Sequence, residues 1–149
     1  SGHPISVSCL CHPEADPEVF PIGQQSLSDD FRYLGGTIPV SLTPHEQLAI
    51  RSLVSMACRS VPGLKGYVGF DLILPTNGRS EPILVEINPR LTTSYVGYRQ
   101  LCAGNLAEHW LTIAGLMSHS SGSSLEWSSS PVEFDAAGDT TLLATPKVC

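Results

Sequence analysis

The residues best equipped for chemistry lie near the middle of the chain: Asp71, then Glu86, Asn88 and Arg90 within the run Val85-Glu86-Ile87-Asn88-Pro89-Arg90. A carboxylate, an amide and a guanidinium in five residues of a short apolar run are costly to bury unless they hold a cation and a phosphate. Two neighbouring carboxylates repel, and a hard divalent cation between them removes the repulsion. Mg²⁺ suits the set: it takes oxygen ligands from one or two carboxylates and leaves the rest of its octahedron to water and phosphate oxygens, and the Asn88 amide oxygen can join them. Mn²⁺ accepts the same donors. The expected metal ligands are therefore Asp71, Glu86 and Asn88. Arg90 follows, where a planar guanidinium can hold phosphate oxygens through two parallel hydrogen bonds. Thr92, Thr93 and Ser94 come next and allow two readings: an anion-binding start of a helix beside the metal, or simple helix capping. The competing reading of the acidic residues is an amphipathic hairpin with a solvated polar face.

Two β-type runs must position these groups. Residues 66–74 and 82–88 flank Thr76-Asn77-Gly78-Arg79, which carries an Asn-Gly turn signal, and together they predict an antiparallel hairpin. Side-chain alternation puts Val68, Phe70, Leu72 and Leu74 on one face and Gly69, Asp71 and Ile73 on the other; on the return strand Ile83, Val85 and Ile87 oppose Leu84, Glu86 and Asn88. If the apolar rows share a face, so do Asp71, Glu86 and Asn88. A turn at Asn77-Gly78 would pair Phe70 with Val85 and set Asp71 opposite Leu84, diagonal to Glu86. A one-residue slip would break that arrangement.

Before the hairpin, Thr43-Pro44-His45-Glu46 supplies an N-cap, a proline at the first helical position and a capping-box Glu. Leu48, Ile50, Leu53, Val54, Ala57, Cys58 and Val61 then form a helical stripe that Pro62-Gly63 ends. A second helix is expected from Thr93 or Ser94 to about Ala114, buried through Val96, Leu101, Leu106, Trp110, Leu111 and Ile113 and bent at Gly104. Residues 120–130 read as a Ser/Gly-rich linker, and Val132–Asp135 with Thr140–Leu143 as a terminal hairpin.

Asp71, a hairpin and then Glu86-Ile87-Asn88-Pro89-Arg90 resemble the metal-binding end of the ATP-grasp ligases. Leu91-Thr92-Thr93-Ser94-Tyr95-Val96-Gly97-Tyr98-Arg99 resembles a narrower, tyramine-glutamate ligase-like branch, as do Gly2–Ser8 and Phe31–Pro39, so the similarity covers roughly residues 1–116. The resemblance implies an α+β fold, the C-terminal portion of an ATP-grasp fold, with an antiparallel sheet packed against two main helices. With the Ser/Gly-rich stretch read as a linker, the chain divides into residues 1–118 of that domain, a linker at 119–130 and a predicted terminal hairpin within 131–149. The resemblance also implies ATP and Mg²⁺ as cofactors, Asp71, Glu86 and Asn88 as metal ligands, Arg90 as the catalytic phosphate contact, and Thr92, Thr93 and Ser94 beside it. The activity implied is ligation of a carboxylate to an amine or thiol through an acyl phosphate. The chain departs from the family in lacking a lid lysine: Lys65 and Lys147 are its only lysines, and neither lies where one is needed. It also opens on Ser1-Gly2 without Met, as expected of a fragment that needs the remainder of the ATP-grasp protein as its partner. A non-catalytic remnant and a plain α+β interaction module are the other readings.

Composition excludes several classes. With 149 residues, 42% hydrophobic and 15% charged, the chain can bury one core. A formal charge of −6 with no Lys/Arg cluster argues against nucleic acid and anionic membrane as partners. No apolar run approaches a membrane span and no signal peptide is evident, so a cytoplasmic protein acting on small molecules is expected, with homodimerisation left open. Five cysteines make an odd, scattered set of reduced thiols. Cys9-Leu10-Cys11-His12 suggests zinc, but zinc cysteines usually have two to four residues between them, where here only Leu10 intervenes, and need a second ligand pair, which the sequence does not show. Cys9 and Cys11 are therefore expected to be packing residues of a strand from Ser6 to Cys11. None of the five histidines has a partner at catalytic spacing.

Overall fold

Apolar alternation on two long neighbouring strands determines the layering of this protein. A computed structural model describes residues 1–12, 14–76, 81–118 and 125–143. β1 (Gly2–His12) is followed by β2 (Ala15–Val19), β3 (Gly23–Leu27), β4 (Tyr33–Ile38), helix α1 (Pro44–Ser60), β5 (Gly66–Pro75), β6 (Ile83–Asn88), α2 (Tyr95–Leu101), α3 (Leu106–Ile113), β7 (Val132–Asp135) and β8 (Thr140–Leu142). All pairings are antiparallel, in the order β6-β5-β1-β3-β4-β7-β8, with β2 also paired to β1. The fold is α+β.

β1 and β5 form the spine, in register from Gly2 opposite Pro75 to Cys11 opposite Gly66. Ile5, Val7, Cys9 and Cys11 join Val68, Phe70, Leu72 and Leu74 in one apolar layer under Ile50, Val54 and Ala57 of α1. On the other face Leu10 and Tyr67 meet Phe20, Ile38, Tyr98, Leu101, Leu106, Val132 and Phe134. Helices thus cover both faces of the sheet. This is why β1 is buried without interruption from Val7 to Cys11 instead of alternating.

The capping box at Thr43 and Glu46 forms, with Glu46 N–H donating to Thr43 Oγ1 at 3.3 Å and Thr43 N–H to Glu46 Oε2 at 2.8 Å. Two members of the expected stripe lie outside the core: Leu48 is 66% exposed, and Val61 follows the helix as its C-cap. The second helix is broken rather than bent. α2 stops at Leu101 because residues 101–103 pair with the returning chain: Cys102 bridges Trp127, Ala103 N–H donates to Glu126 O and Ser128 N–H to Leu101 O. Asn105 then caps α3 by accepting from Glu108 N–H at 3.1 Å. Three strands, β2 to β4, are absent from the expected pattern, since their Pro, Gly and Gln residues hide the alternation. β7 pairs with β4, so the segment after the predicted linker extends the same sheet. The Asn77-Gly78 turn and residues 119–124 of that linker lie outside the described residues.

The hairpin register differs from the expected one. Phe70 pairs with Ile87, Asp71 with Glu86 and Gly69 with Asn88, while Leu72 already faces Leu84. Val85 is therefore an extra residue, a β-bulge opposite the Asp71–Leu72 step. The bulge sends Leu84 and Ile87 toward the α1 layer and leaves Val85 61% and Ile83 55% exposed, so neither is the core residue its alternation suggested. It also brings Glu86 directly across from Asp71 instead of onto a diagonal.

Candidate metal and phosphate site

The site occupies the sheet face opposite α1, at the end of β5 and β6 that leads into α2. Asp71 is half-buried, and its two carboxylate oxygens are held separately: Gln25 Nε2 donates to Oδ1 at 2.7 Å and Asn88 Nδ2 to Oδ2 at 3.2 Å. Asn88 is only 6% exposed. Glu86 is exposed, and its place opposite Asp71 sets two carboxylates side by side on neighbouring strands. Burial, and next the Glu86 charge, push the Asp71 carboxyl above its ordinary value of 3.8, although Gln25 and Asn88 favour the ionised form. An ionised Asp71 with a like charge opposite is the arrangement whose repulsion a divalent ion would relieve.

This shift has a stability consequence. A carboxyl whose folded pKa is raised adds stability below its unfolded pKa and loses that contribution as pH rises through the folded value. In metal-free solution the stability difference between the native protein and Asp71→Asn should therefore move in favour of the variant as pH rises through the range just above 3.8. Urea unfolding of both proteins across that range checks the sign.

Thr92, Thr93 and Ser94 close the site opposite Asp71. Together with Ser6, Gln25, Tyr33, Asn88 and Arg90 they line an open cavity of about 310 Å³. Their hydroxyls form a chain: Tyr67 OH donates to Ser8 Oγ at 2.8 Å and lies 3.2 Å from Thr92 Oγ1, which is 2.7 Å from Ser94 Oγ. Ser94, the residue at the N-cap of α2, makes no side-chain cap to that helix. The first backbone donors are also engaged, Tyr95 N–H with Thr92 O at 3.0 Å and Val96 N–H with Thr93 O at 3.2 Å. An anion here would meet side-chain hydroxyls, not a free helix start. Arg90 is exposed at the cavity rim, where Nη1 donates to Leu91 O at 3.2 Å.

Gly69 lets this wall approach the sheet. A Cβ on Gly69 would come within 2.4 Å of Thr92 Cγ2. Gly69→Ala should displace Thr92 and cost about 1–3 kcal/mol by overpacking, measurable by urea unfolding.

Sequence reading therefore named Asp71, Asn88, Arg90, Thr92, Thr93 and Ser94, and all six line one cavity. Glu86 adjoins them through its pairing with Asp71. It missed Ser6, Gln25 and Tyr33, which β1, β3 and β4 bring in. Tyr33 is pushed up to about 12 by burial and then by the Asp71 charge, so it remains a neutral hydroxyl. No local spacing announces these residues, because their strands reach the site only through sheet pairing. Outside the site, His109 Nε2 lies 2.8 Å from Glu18 Oε2, tying α3 to β2.

Comparison with known proteins gives a consistent picture. A family model described as the ATP-grasp domain matches residues 1–94. The chain is 26% identical over 99 residues to a tyramine–L-glutamate ligase of Methanocaldococcus fervens, covering 66% of this chain and 31% of that protein. The corresponding ligase of Methanocaldococcus jannaschii is 28% identical over 98 residues, 66% of this chain and 29% of that protein. The chain thus spans about a third of the length of these curated relatives. Among solved structures, the biotin carboxylase of Campylobacter jejuni, determined as a β-γ-ATP complex, superposes with a TM-score of 0.72 at 14% identity, over 89% of this chain and 29% of that one.

Proposed function

Because this chain belongs to the ATP-grasp family, we propose that it is the metal- and phosphate-binding part of an ATP-dependent ligase that activates a carboxylate as an acyl phosphate and passes it to an amine. The observation that carries this reading is the strand pairing of Asp71, which lines the cavity, with the adjoining Glu86, together with Asn88 on Asp71 and Arg90 at the rim.

The donor set fits a hard divalent cation: two carboxylates and an amide supply oxygen, and the two carboxylates face each other across the hairpin. Asp71, Glu86 and Asn88 would hold Mg²⁺, which when bound supplies positive charge to the phosphate oxygens. Asp71 and Glu86 would serve as metal ligands and not as a general acid or base. Gln25 fixes the orientation of Asp71 by donating to the oxygen that Asn88 leaves. Arg90 exchanges its single carbonyl contact for phosphate oxygens and neutralises the charge that develops on the transferring group. The hydroxyls of Thr92, Thr93 and Ser94 donate to the phosphate or the incoming carboxylate. Positioning and charge account for this chemistry, with no protein acid or base needed at the transferred phosphoryl group.

The two methanogen relatives are named for joining tyramine to glutamate, so an amino-acid carboxylate with an amine is the first pair to screen. The remaining ATP-grasp segments would choose both substrates. We place the whole protein in the cytoplasm; among the described residues no helix is long and apolar enough to cross a membrane.

The direct test is the thermal midpoint of the protein carrying this chain together with its lid segment, measured with and without Mg²⁺-ATP. A rise that requires both metal and nucleotide supports the reading and justifies screening substrate pairs for ADP release. No rise would leave a non-catalytic remnant or an interaction module as the better description.

A further inference from the structure

On the other face of the sheet, away from Asp71, three thiols converge. Cys9 and Cys11 are two residues apart on β1, so both point toward α1, and Cys58 reaches them from the last turn of that helix. The Sγ–Sγ distances are 3.6 Å for Cys9–Cys11, 3.6 Å for Cys9–Cys58 and 3.3 Å for Cys11–Cys58. All three cysteines are free thiols. Cys9 and Cys11 are buried, whereas Cys58 is half-buried and, with Cys11, lines an open cavity of about 420 Å³ that also takes in His12 and Arg59.

We propose that Cys9, Cys11 and Cys58 form a Zn²⁺ site whose fourth position opens to this cavity. A tetrahedron with metal–sulfur bonds of about 2.3 Å has sulfur–sulfur edges of about 3.8 Å, so the three sulfurs need to spread by only a few tenths of an ångström. Two of the ligands are fixed by a strand that pairs on both edges, and the third sits on a helix packed over it, so little order has to be gained on binding. Thiolates select soft cations, whereas Asp71, Glu86 and Asn88 offer only oxygen donors. The two sites lie on opposite faces of the sheet and differ in chemistry. Binding Zn²⁺ releases the protons that the three cysteines still carry and forms three Zn–S bonds; one water stays on the metal in the fourth position, and no electron is transferred. Arg59, beside Cys58 on the cavity wall and paired with Asp16 at 2.8 Å, offsets part of the net negative charge of a Zn²⁺ ion carrying three thiolates.

The test uses Co²⁺ as the spectroscopic probe on the reduced protein, in a Cys149→Ser background that removes the cysteine outside the described residues. One equivalent should produce an intense thiolate-to-cobalt band with tetrahedral ligand-field bands, and Zn²⁺ should displace it stoichiometrically. Cys58→Ser and Cys11→Ser should each weaken Co²⁺ and Zn²⁺ binding on the order of 100-fold. Cys102→Ser, which alters a half-buried residue of the opposite layer, should leave binding unchanged. Metal-free thermal midpoints separate lost ligation from lost folding, and Cys58→Ser is the more informative variant because its side chain is only half-buried. If the native protein gives no such band, or if the bands survive in both Cys58→Ser and Cys11→Ser, the site does not exist.

Discussion

Glu86→Gln should weaken Mg²⁺-ATP binding by about 30- to 1,000-fold while leaving the fold unchanged. Glu86 is exposed at its strand position, so its substitution removes little packing, but it faces Asp71 directly across the hairpin. Two unit charges about 4 Å apart interact by about 1 kcal/mol in bulk water and about 4 kcal/mol near a protein surface. Removing one carboxylate from a divalent site at a partly shielded wall should therefore cost about 2–4 kcal/mol. Asp71→Asn should impair binding similarly, and in metal-free solution at neutral pH it should be as stable as the native protein or more so, because the substitution removes the burial of a charge and the Glu86 repulsion that together raise Asp71. Calorimetric titration with Mg²⁺-ATP, alongside unfolding of both apo variants, checks the two halves of this expectation. A Glu86→Gln protein that binds Mg²⁺-ATP as tightly as the native one would remove Glu86 from the site.

Phe70→Ala should destabilise the protein by about 3–5 kcal/mol, and Val85→Ala by no more than about 0.5 kcal/mol. Phe70 is 1% exposed in the layer between the β1–β5 spine and α1, so truncation removes transfer energy and leaves a cavity that the flanking strands cannot close. Val85 belongs to an equally apolar run, yet the bulge turns it outward at 61% exposure. Urea unfolding of the two variants measures the contrast. Equal losses would mean that the hairpin adopts the unbulged register, with Val85 in the core and Asp71 opposite Leu84.

That contrast also marks where local reading stops. Apolar periodicity and turn residues specify α1 with its capping box, the paired strands β5 and β6, and the placing of Asp71 and Asn88 on the face away from α1. Each depends on residues within a few positions of one another, so the information is local. The same logic failed at Val85 and Ile83, because a bulge is an accommodation between two strands and leaves no mark in the alternation of either. It failed again at the second helix, which ends where Trp127 and Glu126 return to pair with Cys102 and Ala103.

The two candidate sites divide in the same way. The oxygen donors Asp71, Glu86 and Asn88 could be read from one hairpin, and their resemblance to the ATP-grasp metal site followed from short motifs. Gln25 and Tyr33 reach the same cavity only because β3 and β4 pair onward from β1. Cys9 and Cys11 looked like packing residues because a two-residue spacing supplies at most half a metal site. The third sulfur arrives from Cys58, 47 positions beyond Cys11, when α1 packs across the strand. The sequence alone determined which residue types are available and which face of its own strand or helix each occupies. Tertiary structure decided which of those faces meet, since long-range pairing and helix docking depend on the burial of the whole sheet.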